Sequence, residues 1–282
     1  MKIIAIIVCY NSKEEEIKKT VKSINKQVDY VIIVNNDSSK YDYNMFENVY
    51  NIILDENFGI AYAQNIGIKK ALELKADFVL LSDQDTIYPE RYIESFSPFL
   101  NEKKAAVYCP TFYNTVSNSF APLLIKKFQP VYDISEPTYV EQAIASGSII
   151  DVNCFEKVGF MDERLFIDYV DQEFCWRLTS NGYKILAVPS IVITHSLGER
   201  QKTILGREIT IWNDIRFHYL IRNAIFLATH SEFLVFNERM KLMHDALYGW
   251  CVNYFLLNHN LKSIGFIFTA IFNGLFKKLG KK

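Results

Sequence analysis

Residues 3–11 have the sequence Ile-Ile-Ala-Ile-Ile-Val-Cys-Tyr-Asn, a continuous apolar run that ends in polar side chains. Such a run of β-branched residues, here Ile3–Cys9, is typical of a parallel strand that is buried on both faces of a sheet. Residues 30–35, Tyr-Val-Ile-Ile-Val-Asn, repeat the pattern, and so do residues 78–81, Phe-Val-Leu-Leu. Together these runs predict the core strands of one parallel sheet.

Helical patterns separate the strands. Ser12 followed by Glu15 has the spacing of a capping box, which predicts a helix through about Asn25. Apolar residues from about 60 to 75 recur at helical spacing, and 49–54 forms a weaker strand. This alternation predicts an α/β fold with a mostly parallel central sheet flanked by helices, whose ligands bind at the carboxyl ends of the strands.

The remainder of the chain is less regular. Residues 105–148 contain short strands and proline-bounded loops, residues 159–177 a turn leading into a helix, and residues 185–195 a further strand. From Trp212 onward the pattern indicates aromatic-rich helices. We therefore predict a main domain over 1–210, divided into halves 1–100 and 101–210, and a helical C-terminal region over 211–282.

Composition excludes several classes of protein. The 282 residues are 50% hydrophobic, which excludes extensive disorder, and 31 Lys and Arg balance 32 Asp and Glu, so no basic field favours nucleic acid. The five cysteines form no C-x-x-C pair, which favours a reducing, cytoplasmic compartment without a disulfide framework. The apolar start lacks a small-residue cleavage site, so we interpret it as a strand and not as a signal peptide.

Acidic residues follow the strand at 78–81. Asp83 and Asp85 flank Gln84 directly after it, and two carboxylates at that spacing can approach one divalent cation. A solvated, aspartate-rich turn is the alternative. The chain contains no G-x-G-x-x-G dinucleotide motif, no P-loop and no H-E-x-x-H zinc motif.

Taken in order, the motifs resemble the family 2 glycosyltransferases, which have the GT-A fold. The resemblance spans about 220 residues and is most similar to bacterial rhamnosyltransferases of surface polysaccharide synthesis. Its segments are Val8-Cys9-Tyr10-Asn11, Val34-Asn35-Asn36-Asp37-Ser38, Asn57-Phe58-Gly59-Ile60-Ala61 with Asn65 and Gly67, Asp83-Gln84-Asp85, Ser146-Gly147-Ser148, residues 166–177, Thr194-His195-Ser196-Leu197-Gly198 and Tyr219-Leu220-Ile221-Arg222-Asn223.

The resemblance implies that residues 1–100 bind a nucleotide sugar and residues 101–210 the acceptor. It implies that Asp37 lies beside the base or ribose, that Tyr10 and Asn11 line the base pocket, and that Asn57 and Gly59 face the phosphates or sugar. A carboxylate such as Asp37 accepts N–H or O–H hydrogen bonds. Asp37 as a simple turn residue and Gly59 as a residue that only begins a helix remain alternatives.

The resemblance also implies that Asp83, Gln84 and Asp85 contact the donor. Asp85 is then a direct metal ligand, Asp83 contacts the sugar or ribose, and His195 is a further ligand of the diphosphate-bound metal. A mixed oxygen and nitrogen set suits Mn2+ somewhat better than Mg2+. A purely structural histidine at position 195 is the alternative.

Asp171 matches the catalytic base of the family. Family members commonly carry Glu-Asp at these two positions, whereas this chain has Val170-Asp171. Asp168 and Glu173 are nearby rivals; on one helix, Asp168 and Asp171 would share a face. The alternative is a first helical turn that carries acids because of the helix dipole.

These residues predict an inverting, metal-dependent glycosyltransferase. The resemblance favours transfer of rhamnose from dTDP-rhamnose to a saccharide or lipid-linked saccharide acceptor. Alternatives are the same reaction with another nucleotide sugar such as a UDP-hexose, a nucleotidyltransferase, and an inactive binding module.

The C-terminal region carries two apolar stripes at helical spacing, within 240–257 and 261–279, both too interrupted to span a membrane. Four lysines follow within residues 277–282. We expect an amphipathic helix pair on the inner leaflet, which would make the protein cytoplasmic and peripheral on the inner face of the membrane. Packing on the main domain or a homodimer interface is the alternative.

Overall fold

A mixed, mostly parallel β-sheet forms the centre of the molecule. The computed structural model describes residues 1–41, 43, 45–114, 119–195, 201–204, 207–258 and 261–282, with only the backbone at 114, 195, 201–204, 207–210 and 261. The strands are β1 (Ile3–Cys9), β2 (Tyr30–Asn35), β3 (Val49–Ile53), β4 (Phe78–Asp83), β5 (Val107–Asn114), β6 (Ser119–Phe120), β7 (Leu123–Lys126), β8 (Gln129–Val131), β9 (Thr138–Val140), β10 (Ile149–Asp151), β11 (Ile185–His195), β12 (Gln201–Ile204) and β13 (Arg207–Thr210).

Helices cover the sheet and form the C-terminal region. They are α1 (Glu14–Ile24), α2 (Ile60–Glu73), α3 (Tyr92–Glu102), α4 (Cys154–Val158), α5 (Val170–Ser180), α6 (Asp214–His230), α7 (Phe236–His244), α8 (Val252–Asn258) and α9 (Leu261–Leu275). A 3-10 turn over Glu163–Leu165 precedes α5, and a π-helical segment over Asp245–Cys251 joins α7 to α8.

The strand order places the carboxyl ends of β1 and β4 side by side. The main sheet runs β3-β2-β1-β4-β10-β5-β11-β9, with the first four strands parallel and β10 antiparallel between β4 and β5. The chain runs from β1 to β2 and β3 on one side of β1, and then crosses over to form β4 on the other side of β1. Ligands of open α/β sheets bind at such a switch point, and Val8 lies opposite Asp83 there.

The sheet is buried on both faces because successive side chains of a strand point in opposite directions. In β1, Ile4 and Ile6 pack in a cluster with α2, α5 and α6, whereas Ile3, Ala5 and Ile7 pack with α1 and α3. This two-sided burial is the reason why the strands appear in the sequence as continuous apolar runs.

The predicted α/β pattern is confirmed, with β1 and β2 at their predicted bounds. The predicted capping box is wrong. Helix α1 begins at Glu14 with Lys13 at the N-cap position and no side-chain cap, because the Ser12 hydroxyl hydrogen-bonds the side-chain oxygen of Gln84 instead. Contact with Gln84 across the strand ends therefore replaces the local cap.

Helix α9 lies against α6 through its small residues. A Cβ on Gly274 would lie 2.5 Å from the carbonyl oxygen of Arg222, so only glycine permits this approach. The predicted apolar stripe of this region divides between two faces: Ile271 packs against the core, whereas Phe268 is 67% exposed. No helix within the described part of the chain is long and apolar enough to cross a membrane.

Two of the four lysines in the predicted cluster contact the main domain. Lys281 forms an ion pair with Glu56, at 2.7 Å, and the backbone N–H of Lys282 donates to the hydroxyl of Tyr219, at 2.8 Å. Lys277 and Lys278 remain exposed beside α9. The chain end is thus bound to the main domain, while all four lysines of the expected cationic cluster remain exposed.

Candidate active site

The turns after β1, β2 and β4 meet at one end of the sheet. The backbone N–H of Asn11 donates to Asp37 Oδ2 at 2.6 Å, and the backbone N–H of Tyr10 donates to Gln84 Oε1 at 2.9 Å. The Tyr10 side chain is exposed beside them. The structure therefore brings together four residues that the sequence assigned to the donor.

Asp37 is held as an ionised carboxylate. Its other oxygen accepts the backbone N–H of Ser39 at 2.8 Å. Burial acts to raise the pKa of Asp37, but the hydrogen bonds from Asn11 and Ser39 outweigh it and leave the pKa below its ordinary value. Because each carboxylate oxygen has two acceptor positions, the backbone bonds that shape this turn leave capacity for a ligand hydroxyl.

Asn57 and Gly59 lie between β3 and α2, and Asn57 contacts the turn after β2. Asn57 Oδ1 accepts from the side-chain amide of Asn36 at 3.1 Å and from the backbone N–H of Gly59 at 2.9 Å. Gly59 has φ +92°, and a Cβ there would lie 2.6 Å from the carbonyl oxygen of Phe166. The same carbonyl accepts the N–H of Ile60, at 2.7 Å. Close approach to Phe166 accounts for the glycine, and its contact with a donor stays a prediction.

Ser146 fixes the turn that carries Asp83 and Asp85. Its hydroxyl is buried, accepts the backbone N–H of Asp83 at 3.1 Å, and lies 2.7 Å from the Thr86 hydroxyl. Asp83 is half-buried, and Asp85 is exposed. This role of Ser146 is not predictable from the sequence, because a small Ser-Gly-Ser loop gives no local signal for the contact.

His195 ends β11 near the same turn. The residue before it, Thr194, forms an antiparallel bridge with Ile87, two residues beyond Asp85. The side chain of His195 lies outside the described residues. Among the side chains that the structure does describe, no three from His, Cys, Asp and Glu come together to hold a metal ion.

Asp171 lies in the first turn of α5. Its Oδ2 accepts the backbone N–H of Ala145 at 3.1 Å, and the next residue, Ser146, holds Asp83. Burial raises the pKa of Asp171, although its hydrogen bonds and the charge of Arg216 act in the opposite direction. Asp171 and Asp83 are therefore attached to consecutive residues of one segment.

The two rival carboxylates are in ion pairs. Asp168 accepts from Arg216 Nε at 3.1 Å, and Glu173, which is buried, pairs with Arg177 at 2.7 Å. The expected shared helical face of Asp168 and Asp171 is wrong, because α5 begins at Val170 and Asp168 lies before it with φ +63°. This geometry favours Asp171 over both rivals as a proton acceptor.

Two buried polar residues of α6 hold the turn that leads into α5. The side-chain amide of Asn223 lies 2.8–3.0 Å from the carbonyl oxygens of Leu165, Ile167 and Asp168. Arg222 donates to the carbonyl oxygen of Leu165 at 2.8 Å. Sequence analysis gave these residues no role, although a polar pair inside an otherwise apolar helix is a signal, since buried polar groups require partners.

The chain is similar to known proteins in sequence and in fold. The sequence model of glycosyl transferase family 2 matches residues 4–161. The chain is 33% identical over 239 residues to the dTDP-rhamnosyl transferase RfbF of Shigella flexneri. The aligned region covers 82% of this chain and 81% of that protein.

Two solved structures share the fold. S. aureus TarS 1-349 in complex with UDP-GlcNAc has a TM-score of 0.62 and 16% identity, over 96% of this chain and 79% of that one. GalNAc-T7 with UDP, GalNAc and Mn2+ has a TM-score of 0.56 and 15% identity, over 87% of this chain and 54% of that one. The predicted fold class is confirmed.

We expect Asp171→Asn to raise the stability of the protein at neutral pH relative to wild type. Because the pKa of Asp171 is raised in the folded chain, the stabilisation that its protonated form provides is present at low pH and is lost as the pH rises through the folded pKa. An asparagine is neutral throughout and keeps an oxygen for the N–H of Ala145. The measurement is the difference in Tm across about pH 4 to about pH 8.

The exposed Asp133→Asn is the matched control, and its Tm difference should be constant over this range. A Tm difference for Asp171→Asn that is negative at neutral pH, or that does not grow with pH, contradicts the assignment of a raised pKa.

Proposed function

This chain belongs to glycosyl transferase family 2, and we propose that it transfers rhamnose from dTDP-rhamnose to a saccharide hydroxyl with inversion at the anomeric carbon. The donor is inferred from the 33% identity to the dTDP-rhamnosyl transferase RfbF. Family membership makes the chain a glycosyltransferase and removes the nucleotidyltransferase alternative. Another nucleotide sugar, such as a UDP-hexose, is the competing donor.

The observation that carries the proposal is the placement of Asp171 beside the donor half. Ala145 and Ser146 bind Asp171 and the backbone of Asp83 respectively. An inverting displacement requires a base on the acceptor side of the anomeric carbon and a leaving group on the opposite side. Asp171 supplies the base, and the turn at Asp83 belongs to the side of the leaving diphosphate.

One displacement accounts for the reaction. The acceptor oxygen forms a bond to the anomeric carbon while its proton moves to the Asp171 carboxylate. The bond from that carbon to the diphosphate oxygen breaks, and dTDP leaves with the electron pair. Burial makes the carboxylate a stronger base by raising its pKa, and general-base catalysis is typically worth ~10²–10⁴-fold.

The nucleoside of the donor is assigned to the turns after β1 and β2. Asp37 stays ionised and accepts hydrogen bonds from the base or ribose, while Tyr10, exposed at the same place, offers a ring on which a base stacks. The backbone N–H of Asn11 joins these two turns through Asp37, and Gln84 joins the turn after β1 to the turn after β4. Asn57 and Gly59 lie at the start of α2, where the N-terminus of a helix favours phosphate.

A divalent cation, Mn2+ or Mg2+, fits the acidic turn. Such ions are commonly bound through one or two carboxylates together with substrate phosphates, so a complete protein cage is not required. Asp85 is exposed at the strand end and supplies a hard oxygen ligand, with Asp83 beside it and His195 as a further ligand. When bound, the cation stabilises the negative charge that develops on the departing diphosphate.

The acceptor is proposed to be a lipid-linked saccharide at the inner face of the membrane. The outward face of α9 and the residue after it present Phe268, Phe272 and Phe276 at four-residue spacing, all exposed. Lys278 lies over the ring of Phe272 at 4.8 Å, and Lys277 is its exposed neighbour. Aromatic rings flanked by cations match the boundary of an anionic bilayer.

Replacing the proposed base should abolish transfer while sparing donor binding. We expect Asp171→Asn to lower kcat by ~10³-fold, since the amide cannot accept the proton. Initial rates with dTDP-rhamnose, and with UDP-hexoses for comparison, give kcat, and titration with dTDP gives donor affinity.

Asp168→Asn and Glu173→Gln are the controls, because their ion pairs make them structural. Each should keep a kcat within about tenfold of wild type once stability is accounted for. A kcat of Asp171→Asn near that of wild type would transfer the base role to one of them, and turnover of UDP-hexoses alone would overturn the donor assignment.

Removing the proposed metal ligand should remove the metal dependence. Asp85→Asn keeps the shape of the side chain but loses its charge, so dTDP affinity in Mn2+ should fall to the value that wild type shows with a chelator. Isothermal titration with and without the chelator measures this, with the exposed Asp133→Asn as control. Wild-type activity that is unchanged by chelator contradicts the metal assignment.

The exposed aromatic face should bind anionic vesicles. We expect Phe268→Ser, Phe272→Ser and Phe276→Ser together to reduce sedimentation with phosphatidylglycerol vesicles by tenfold or more, because each lost ring removes about 1.5–3 kcal/mol of potential burial. The matched triple control changes Met45, Phe120 and Tyr132, which are exposed elsewhere. The proposed membrane contact is overturned if the wild-type protein does not sediment with the vesicles. It is also overturned if the wild-type protein is a homodimer and the triple variant is a monomer.

A further inference from the structure

A groove of about 330 Å³ lies beside the first turns of α5. Four parts of the chain form it: the β7–β8 hairpin, Gln142 after β9, the start of α5 with Tyr169 before it, and the helices from α7 to α8. Its volume is at the lower end of the ~300–1,000 Å³ found for small-molecule sites. Neither the donor contacts nor the proposed metal site uses these residues.

The groove contains buried polar atoms that the described part of the chain leaves without a hydrogen-bond partner. They are Gln172 Oε1, Trp176 Nε1 and Asn253 Oδ1, two acceptors and one donor. Buried polar atoms in folded proteins are nearly always hydrogen-bonded, so three of them lining one groove indicate a ligand that supplies the partners. A ligand with several hydroxyl groups matches both the acceptors and the donor.

Aromatic rings make up much of the remaining surface. Phe128 and Trp176 lie with ring centroids 5.4 Å apart, and Trp250 donates its indole N–H to the hydroxyl of Tyr169 at 3.1 Å. Trp250 is thereby fixed at the wall of the groove. Flat apolar rings combined with a few polar groups are the surface that fits a pyranose, which has C–H faces and a rim of hydroxyls.

The charge of the groove selects against phosphate. Asp245 is its one acidic lining residue, and no Lys or Arg is found among the described residues that line it. Asp245 lies 3.3 Å from His244 and 3.8 Å from Lys241, both outside the lining. A neutral sugar fits this surface better than an anionic one, because a carboxylate accepts hydroxyl protons but repels phosphate.

The groove is next to the proposed base. Gln172 and Trp176 are four residues apart, which places them on one face of α5, and Tyr169 directly precedes that helix. Asp171 precedes Gln172, so its side chain is about 100° around the same helical turn. A sugar seated in the groove therefore contacts the helical turn that carries the proposed base, although the Asp171 side chain itself does not line the groove.

We propose that this groove binds the acceptor of the transfer reaction as a neutral hexose or N-acetylhexosamine unit, stacked on Trp250 and hydrogen-bonded to Gln172 and Asn253. The assignment rests on the proposed function, since it supplies the second substrate of that reaction. It also gives the C-terminal helices a role in choosing the acceptor.

The test removes one unpartnered atom with little change of shape. Asn253→Leu deletes the buried amide, and Asn237→Leu, an exposed position on α7, is the matched control. Methyl glycosides of neutral hexoses and N-acetylhexosamines serve as acceptor probes with dTDP-rhamnose as donor, and tryptophan fluorescence follows their binding. We expect Asn253→Leu to raise the acceptor KM about tenfold or more, with donor affinity and Tm not lowered.

Trp176→Phe is a second variant that keeps a ring but loses the indole N–H, and it should raise the same KM. An acceptor KM that both variants leave unchanged overturns the groove assignment, as does wild-type turnover of dTDP-rhamnose with no response to any glycoside. If no nucleotide sugar is bound, yet glycosides quench fluorescence in wild type and not in Asn253→Leu, the proposed function fails and the groove stands.

Discussion

The side-chain amide of Asn223 holds the turn from which the site is built. It contacts three carbonyl oxygens of residues 165–168, a turn in which Phe166 and Asp168 have positive φ. Non-glycine residues in that region are strained, and they persist only where the surroundings fix them. The carbonyl of Phe166 in turn receives the first N–H of α2, at 2.7 Å. One buried amide therefore connects α6, the helix α5 that carries the proposed base, and the half of the sheet proposed to bind the donor.

This arrangement explains why the ion pairs lie around Asp171 and not on it. Arg216 pairs with Asp168 and Arg177 with Glu173, so two of the three carboxylates at the start of α5 have a cationic partner. A close cation on Asp171 would lower its pKa and weaken it as a base. Burial raises the pKa of Asp171 instead, although its backbone hydrogen bonds oppose this, at the expense of stability in the charged form.

The sequence predicts the fold better than the site because the two depend on different ranges of interaction. The continuous apolar runs predict β1 and β2 to the residue. A strand buried on both faces is apolar at every position, so its ends are marked by the first polar residues. Local rules fail where a distant partner competes: Ser12 has the spacing of a helix cap, but its hydroxyl contacts Gln84, seventy-two residues away. The anchoring by Ser146 and Asn223 is equally non-local. Neither residue type nor spacing indicates it for Ser146, and the polar pair Arg222-Asn223 within α6 indicates only that partners are needed, not which residues supply them.

The helices of the C-terminal region that follow α6 contact both α6, which holds the turn before α5, and the proposed acceptor groove. Its inner helix α9 packs on α6 through Gly274, behind Arg222, while α7 and α8 supply Asp245, Trp250 and Asn253 to the groove beside α5. A π-helical turn over 245–251 connects these helices, and such turns are frequent at functional sites because the extra residue redirects side chains. Here Asp245 and Trp250, at the two ends of that turn, both line the groove. The same helices thus support the turn held by Asn223 and line the proposed acceptor site, so a change in how they pack would act on the base and the acceptor together.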